Sequence, residues 1–168
     1  SHIVRTASAK TPIPRLMIWP ETAFSAFASK DGSLLTAMAQ QALPFDGHLI
    51  TGMPRLDNEG RLFNSAALVN ANGQINAVYD KRRLVPFGEF LPFEKILRQI
   101  GFKNLTNNYQ SYSKGQKREI IELNQNNFSI KFLPLICYEI IYSGKLYEND
   151  EFDIIVNISE DGWFGRSI

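Results

Sequence analysis

The sequence predicts an α/β fold with a mixed or largely parallel sheet covered on both faces, and three observations support it. Short, nearly continuous apolar runs such as "RLMIW" (15–19) and "FLPLI" (132–136) read as strands buried on both sides. Segments of helical period and of crossover length alternate with them. Glu21, Lys81 and Cys137 each fall at the end of a predicted strand, where sheets of this class hold ligands.

The elements follow in order. "RLMIW" is closed by Pro20, which suits a buried strand better than a helix. In "KDGSLLTAMAQQALP" (30–44), Leu34, Leu35, Met38, Ala42 and Leu43 recur at helical spacing; Asp31 or Ser33 offers an N-cap and Pro44 ends the helix. "HLITGMPRL" (48–56) reads as a second buried strand. "FNSAALVNANGQINAVYDKRRL" (63–84) reads as a hairpin turning at "NANG", because Asn and Gly tolerate positive φ; its outgoing arm runs into Lys81. "VPFGEFLPFEKILRQIG" (85–101) predicts a loop and then a short helix with Phe93, Ile96, Leu97 and Ile100 on one face and Gly101 as its C-terminal cap. The polar, aperiodic stretch 102–119 predicts an exposed loop. Strands are expected at "IIEL" (120–123), "NFSIKFLPLICYE" (127–139) and "FDIIVNIS" (152–159), the last running into the loop "EDGWFG".

Composition narrows the function. A chain of 168 residues fits one core or part of a larger one. Its formal charge of +1 gives no ground for a nucleic-acid partner, and the short basic runs "DKRR" and "KGQKRE" read as solvated surface. A single cysteine excludes an internal disulfide. No apolar run reaches the roughly 18 residues of a membrane span, and no signal pattern opens the chain. Both ends read as cuts. With His2 in the ragged N-terminus and His48 opening a strand, neither a Cys-His pair nor a metal site is expected.

The chemistry therefore rests on three residue types. Cys137 is the sole candidate thiol; by itself it is more often a small core side chain. A carboxylate buried beside it, such as Glu21, suits a group that takes a proton and returns it. Beside the thiol, Lys81 would favour thiolate and hold the oxyanion of a tetrahedral intermediate. Together they make a coherent device for acyl transfer through a thioester.

The segments "IWPETAF", "YDKRRLVPFGEFLP", "LICYEIIY" and "NISEDGWFG", in that order, resemble the Glu, Lys and Cys motifs of the nitrilase (carbon-nitrogen hydrolase) superfamily and the loop that follows them. Within it they are most similar to the bacterial apolipoprotein N-acyltransferase branch, from about residue 15 onward. The resemblance implies a four-layer αββα sandwich, incomplete over residues 1–168, from the periplasm-facing domain of an inner-membrane enzyme whose transmembrane region and further sheet are absent here. It implies Glu21 as general base, Lys81 as oxyanion holder and Cys137 as nucleophile, with Glu89 and Glu139 holding Lys81 and the attacking amine. Asn64 and Tyr138 match positions near the site, and Phe87, Trp163 and Phe164 match lipid- or substrate-facing positions. Where the family usually has Asn, this chain has Glu160. The implied acyl donor is a phospholipid, typically phosphatidylethanolamine, and the implied acceptor a diacylglyceryl apolipoprotein, without cofactor or metal. A soluble amidase with the same triad and a catalytically silent module of the same fold are the rival readings.

Overall fold

The computed structural model describes residues 16–21, 33–43, 46–86, 89, 111–125, 128–145 and 151–160. The elements are β1 (Leu16–Ile18), α1 (Ser33–Ala42), β2 (His48–Leu56), β3 (Leu62–Asn70), β4 (Ile75–Asp80), β5 (Ile121–Gln125), β6 (Phe128–Ile136), a 3-10 helix (Cys137–Lys145) and β7 (Ile154–Ile158). They form two sheets, ordered β1-β2-β3-β4 and β5-β6-β7.

Both sheets are mixed, but "largely parallel" is corrected. Only β1 with β2 and β6 with β7 run parallel; the other three pairings are antiparallel. The reason is local turn chemistry. Asn70 closes the expected β3–β4 hairpin, its side-chain oxygen accepting the N–H groups of Asn72 and Gln74 at 3.0 Å each. Asp57 closes an unexpected one between β2 and β3, accepting from the N–H groups of Glu59 and Arg61 at 3.0 and 2.8 Å.

Alternation along the strands builds the layers. Leu49 and Met53 of β2 and Ala67 and Val69 of β3 pack with Leu35, Ala39, Ala42 and Leu43 of the α1 segment and with Trp19. Their neighbours Ile50, Ala66 and Leu68, joined by Tyr79, point the other way, onto Ile121, Leu123, Phe132, Ile136, Val156 and Ile158 of the second sheet. Strands covered on both faces need apolar residues at consecutive positions, which is why β2, β3 and β6 read as unbroken greasy runs. Burying each large apolar side chain contributes about 1.5–3 kcal/mol. Leu133 and Leu135 start a third cluster with Phe152 and Ile155 on the far face of the second sheet. Gln125 ties the sheets at one margin, its amide donating to the Asp46 carbonyl and meeting His48 Nδ1 at 3.1 Å. The described layers are thus helix, sheet, sheet; the helix predicted at 93–100 lies outside the described residues.

Two further expectations change. β1 is a marginal strand and not a buried one: Leu16 and Met17 are half-buried, and Ile18 is 51% exposed. The described part of the predicted exposed loop, 111–119, is a strap held by its backbone. Tyr112, Ser113 and Gly115 donate to the carbonyls of Glu89, Leu62 and Lys81 at 2.8, 2.6 and 2.9 Å. Aperiodicity reflects donors satisfied one at a time, and it does not require exposure.

Candidate active site

The loop after β1 delivers Glu21. Trp19 N–H donates to Ile50 O at 2.8 Å and Gly52 N–H to Pro20 O at 3.2 Å, so β2 holds the exit of β1. A Cβ at position 52 would stand 1.7 Å from the Glu21 carbonyl oxygen, so only glycine admits this approach. Lys81 extends the β3–β4 ladder by one step, its N–H donating to Asn64 O at 2.8 Å. The ends of β1, β3 and β4 are thereby gathered at one place.

There Lys81, 1% exposed, sets its ammonium between two carboxylates. Nζ lies 3.2 Å from Glu21 Oε1 and 2.9 Å from Glu89 Oε2. Asn64 Nδ2 donates to Glu21 Oε1 at 2.8 Å and to Glu89 Oε1 at 2.6 Å. Val85 N–H donates to Glu89 Oε2 at 2.9 Å, and Glu160 N–H reaches Glu21 Oε2 at 3.3 Å. The Glu160 departure therefore touches Glu21 through its backbone N–H, which every residue type but proline supplies. Burial alone would lower the Lys81 pKa, but the charges of Glu89 and Glu21 outweigh it and the net shift is upward. The ammonium persists throughout the neutral range.

Cys137 is not the last residue of a strand. It opens the 3-10 helix with φ at +55°, the sole non-glycine residue with positive φ among the described residues. Such backbone costs on the order of 1–3 kcal/mol and is kept where the surroundings fix it. Burial and then the Glu21 charge push the thiol pKa up; Lys81, the Ser159 side chain and the Tyr138 N–H pull it back without cancelling the rise. Lys81 thus favours thiolate as expected, but burial and the Glu21 charge outweigh it. At neutral pH the sulfur holds its proton, so attack requires a base, and Glu21 is the nearby carboxylate whose charge the thiol feels.

A prediction of opposite signs follows for Glu21→Gln. Removing the carboxylate charge lowers the thiol pKa, so iodoacetamide should alkylate Cys137 faster than in the parent at mildly alkaline pH. Any reaction in which Glu21 takes the thiol proton should instead slow by about 100-fold or more, the range a general base contributes. Parallel loss of both rates would remove Glu21 from this role.

Of the two glutamates expected to hold Lys81 and the attacking amine, Glu89 is the one that meets Lys81, and Glu139 binds the backbone beside it. Its Oε1 accepts from the N–H groups of Arg82 and Arg83 at 2.8 and 3.0 Å, and its Oε2 from Ile136 N–H at 3.0 Å. Tyr79 hydroxyl lies 3.0 and 2.9 Å from the two oxygens. The carboxylate thus ties the chain just after Lys81 to the residues flanking Cys137. Sequence reasoning passed over Tyr79 and Ser159: a Tyr in a strand and a Ser after one carry no local signal. Burial and then the Glu139 charge raise the Tyr79 pKa strongly, so it stays a neutral donor. Tyr138 is 46% exposed and joins none of these bonds through its side chain. Phe87, Trp163 and Phe164 lie outside the described residues.

Comparison with known proteins gives the family and the fold. The family model "Carbon-nitrogen hydrolase" matches residues 5–168. An apolipoprotein N-acyltransferase of Rhizobium rhizogenes is 38% identical over 158 residues, covering 90% of this chain and 29% of that protein. One of Bradyrhizobium diazoefficiens is 37% identical over 159 residues, with the same coverage of 90% and 29%. The chain thus spans under a third of the curated relatives it matches. Among solved structures, a glutamine-dependent NAD+ synthetase of Acinetobacter baumannii superimposes with a TM-score of 0.60 at 21% identity, covering 94% of this chain and 28% of that one. A CN-hydrolase superfamily protein of Xanthomonas campestris gives 0.57 at 17% identity, covering 94% and 55%. At such identities the structures speak for the fold alone, a nitrilase-like α/β sandwich of which this chain is part.

Proposed function

Since this chain belongs to the carbon-nitrogen hydrolase family, we propose that it carries the acyl-transfer site of an apolipoprotein N-acyltransferase. The observation that carries the reading is the buried ammonium of Lys81, shared by Glu21 and Glu89, gathered with a thiol on a left-handed elbow. The names of the curated relatives supply the substrate class.

In the first half-reaction Cys137 Sγ attacks the ester carbonyl of a phospholipid such as phosphatidylethanolamine while Glu21 takes the thiol proton. Lys81 offsets the charge that develops on the carbonyl oxygen. Collapse breaks the carbon–oxygen bond, and Glu21 returns the proton to the departing lysophospholipid. In the second, the α-amine of a diacylglyceryl-cysteine attacks the thioester, Glu21 takes its proton, and the thiol re-forms as the amide is released. Glu89 and Asn64 are positioning residues that fix Lys81 and Glu21; Glu139 fixes the elbow. The reaction belongs at the bacterial inner membrane with the site facing the periplasm. Among the described residues no helix is long and apolar enough to cross a membrane.

The test supplies the full-length protein with phosphatidylethanolamine and a diacylglyceryl-cysteine lipopeptide. N-acylated lipopeptide and lysophospholipid should appear in equal amounts. Release of free fatty acid alone, or turnover of short amides without lipopeptide acylation, would replace the transferase with a hydrolase.

A further inference from the structure

The two basic runs that read as unrelated surface meet in the fold. Arg82 and Arg83 from the first, with Lys114 and Arg118 from the second, line a cavity of about 200 Å3 whose wall includes Glu139 and Tyr142. That is room for a compact anionic group.

Charge in this cavity is unbalanced. Leaving Arg118 aside, Arg82, Arg83 and Lys114 face one carboxylate, and that carboxylate already accepts the Tyr79 hydroxyl and three backbone N–H groups. Among the described residues no carboxylate lies within ion-pair distance of Arg82, Arg83 or Lys114. Arg82 Nε is buried and meets no hydrogen-bond acceptor among them. The Arg83 guanidinium is stacked 4.3 Å over the Tyr142 ring, which restrains it. With the whole chain at +1, general basicity does not explain such a concentration.

We propose that this cavity is a binding site for a phosphate group. Guanidinium forks with an added ammonium match the tetrahedral oxygens of a phosphate, and several are needed to neutralise one. The group is either the phosphodiester of a lipid headgroup or a soluble phosphate; the chemistry is shared. The site stands on charge and geometry and does not depend on the acyl-transfer reading. Because Arg82 and Arg83 also hold Glu139 through their backbones, its occupant sits against the support of the Cys137 elbow.

The experiment titrates the full chain with inorganic phosphate by calorimetry. A parallel arm measures its sedimentation with phosphatidylcholine vesicles, with and without phosphatidylglycerol. Saturable binding in the phosphate arm assigns a soluble source, and binding only to the phosphatidylglycerol vesicles assigns a headgroup; either supports the site. Arg83→Gln with Lys114→Gln, both exposed positions, should weaken it about tenfold or more with the melting temperature unchanged. Should that variant not fold, amine acetylation of Lys114 in the parent decides the matter instead, because the bound phosphate source should protect it. Absence of saturable binding in both arms, binding unweakened in the folded variant, or unprotected Lys114 would overturn the proposal.

Discussion

Lys81→Met should abolish acyl transfer and destabilise the fold by about 3–5 kcal/mol at neutral pH, the range measured when one partner of a buried ion pair is removed. Without the ammonium, Glu21 and Glu89 are left 7% and 8% exposed, bridged only by the Asn64 amide. Urea denaturation measures the loss. Adding Glu89→Gln to Lys81→Met should recover part of the stability, since one stranded charge disappears, but none of the activity. The pH dependence has a definite sign. The folded pKa of Lys81 is raised above its ordinary 10.5, so its stabilisation is fully present below that value. It is lost only as pH rises through the higher folded pKa, and the gap between parent and variant should close only in strong alkali. A stable, active Lys81→Met protein would remove the ion cluster from the account.

Glu139→Ala should be at least as damaging to the fold, for a different reason. It strands the N–H groups of Arg82, Arg83 and Ile136 and the Tyr79 hydroxyl beside a cavity left by the side chain. Each buried donor without a partner costs about 1–3 kcal/mol, so several together exceed the stability of many domains. Glu139→Gln should be milder. Its amide oxygen can serve Arg82 and Arg83, while the NH2 meets Ile136 N–H donor to donor, for a loss of about 1–3 kcal/mol. The graded order, parent then Gln then Ala, should appear in thermal melts and in acyl-transfer rate. Equal effects of Gln and Ala would mean that charge alone matters at this position.

What the sequence revealed and what it hid divide along physical lines. Apolar runs closed by Pro20 or followed by a polar residue located the strand ends, so Glu21, Lys81 and Cys137 were legible as a group at the sheet margin. Asn64 and Glu89 entered only through the family motifs; the fold brings Glu89 onto Lys81 and the Asn64 amide onto both carboxylates. The antiparallel pairing of β2 with β3 was missed because the Asp57 turn was passed over. The contacts of Glu139 were not legible because three of its partners are backbone N–H groups, which every residue but proline carries and no sequence marks, and the fourth is the Tyr79 hydroxyl. The positive φ of Cys137 lay hidden in a run that continues its strand's greasy pattern into "IIY". Arg83 and Lys114 were each correctly read as exposed, yet the cavity they share exists only once β4 and the 111–119 strap are side by side.

Whether Cys137 carries the acyl group is read by intact-protein mass spectrometry after incubation with phosphatidylethanolamine in detergent. The full-length protein should gain one acyl mass that hydroxylamine removes, and Cys137→Ala should gain none. An acyl mass on the Cys137→Ala protein, or no adduct on a parent protein that still acylates lipopeptide, would contradict that role.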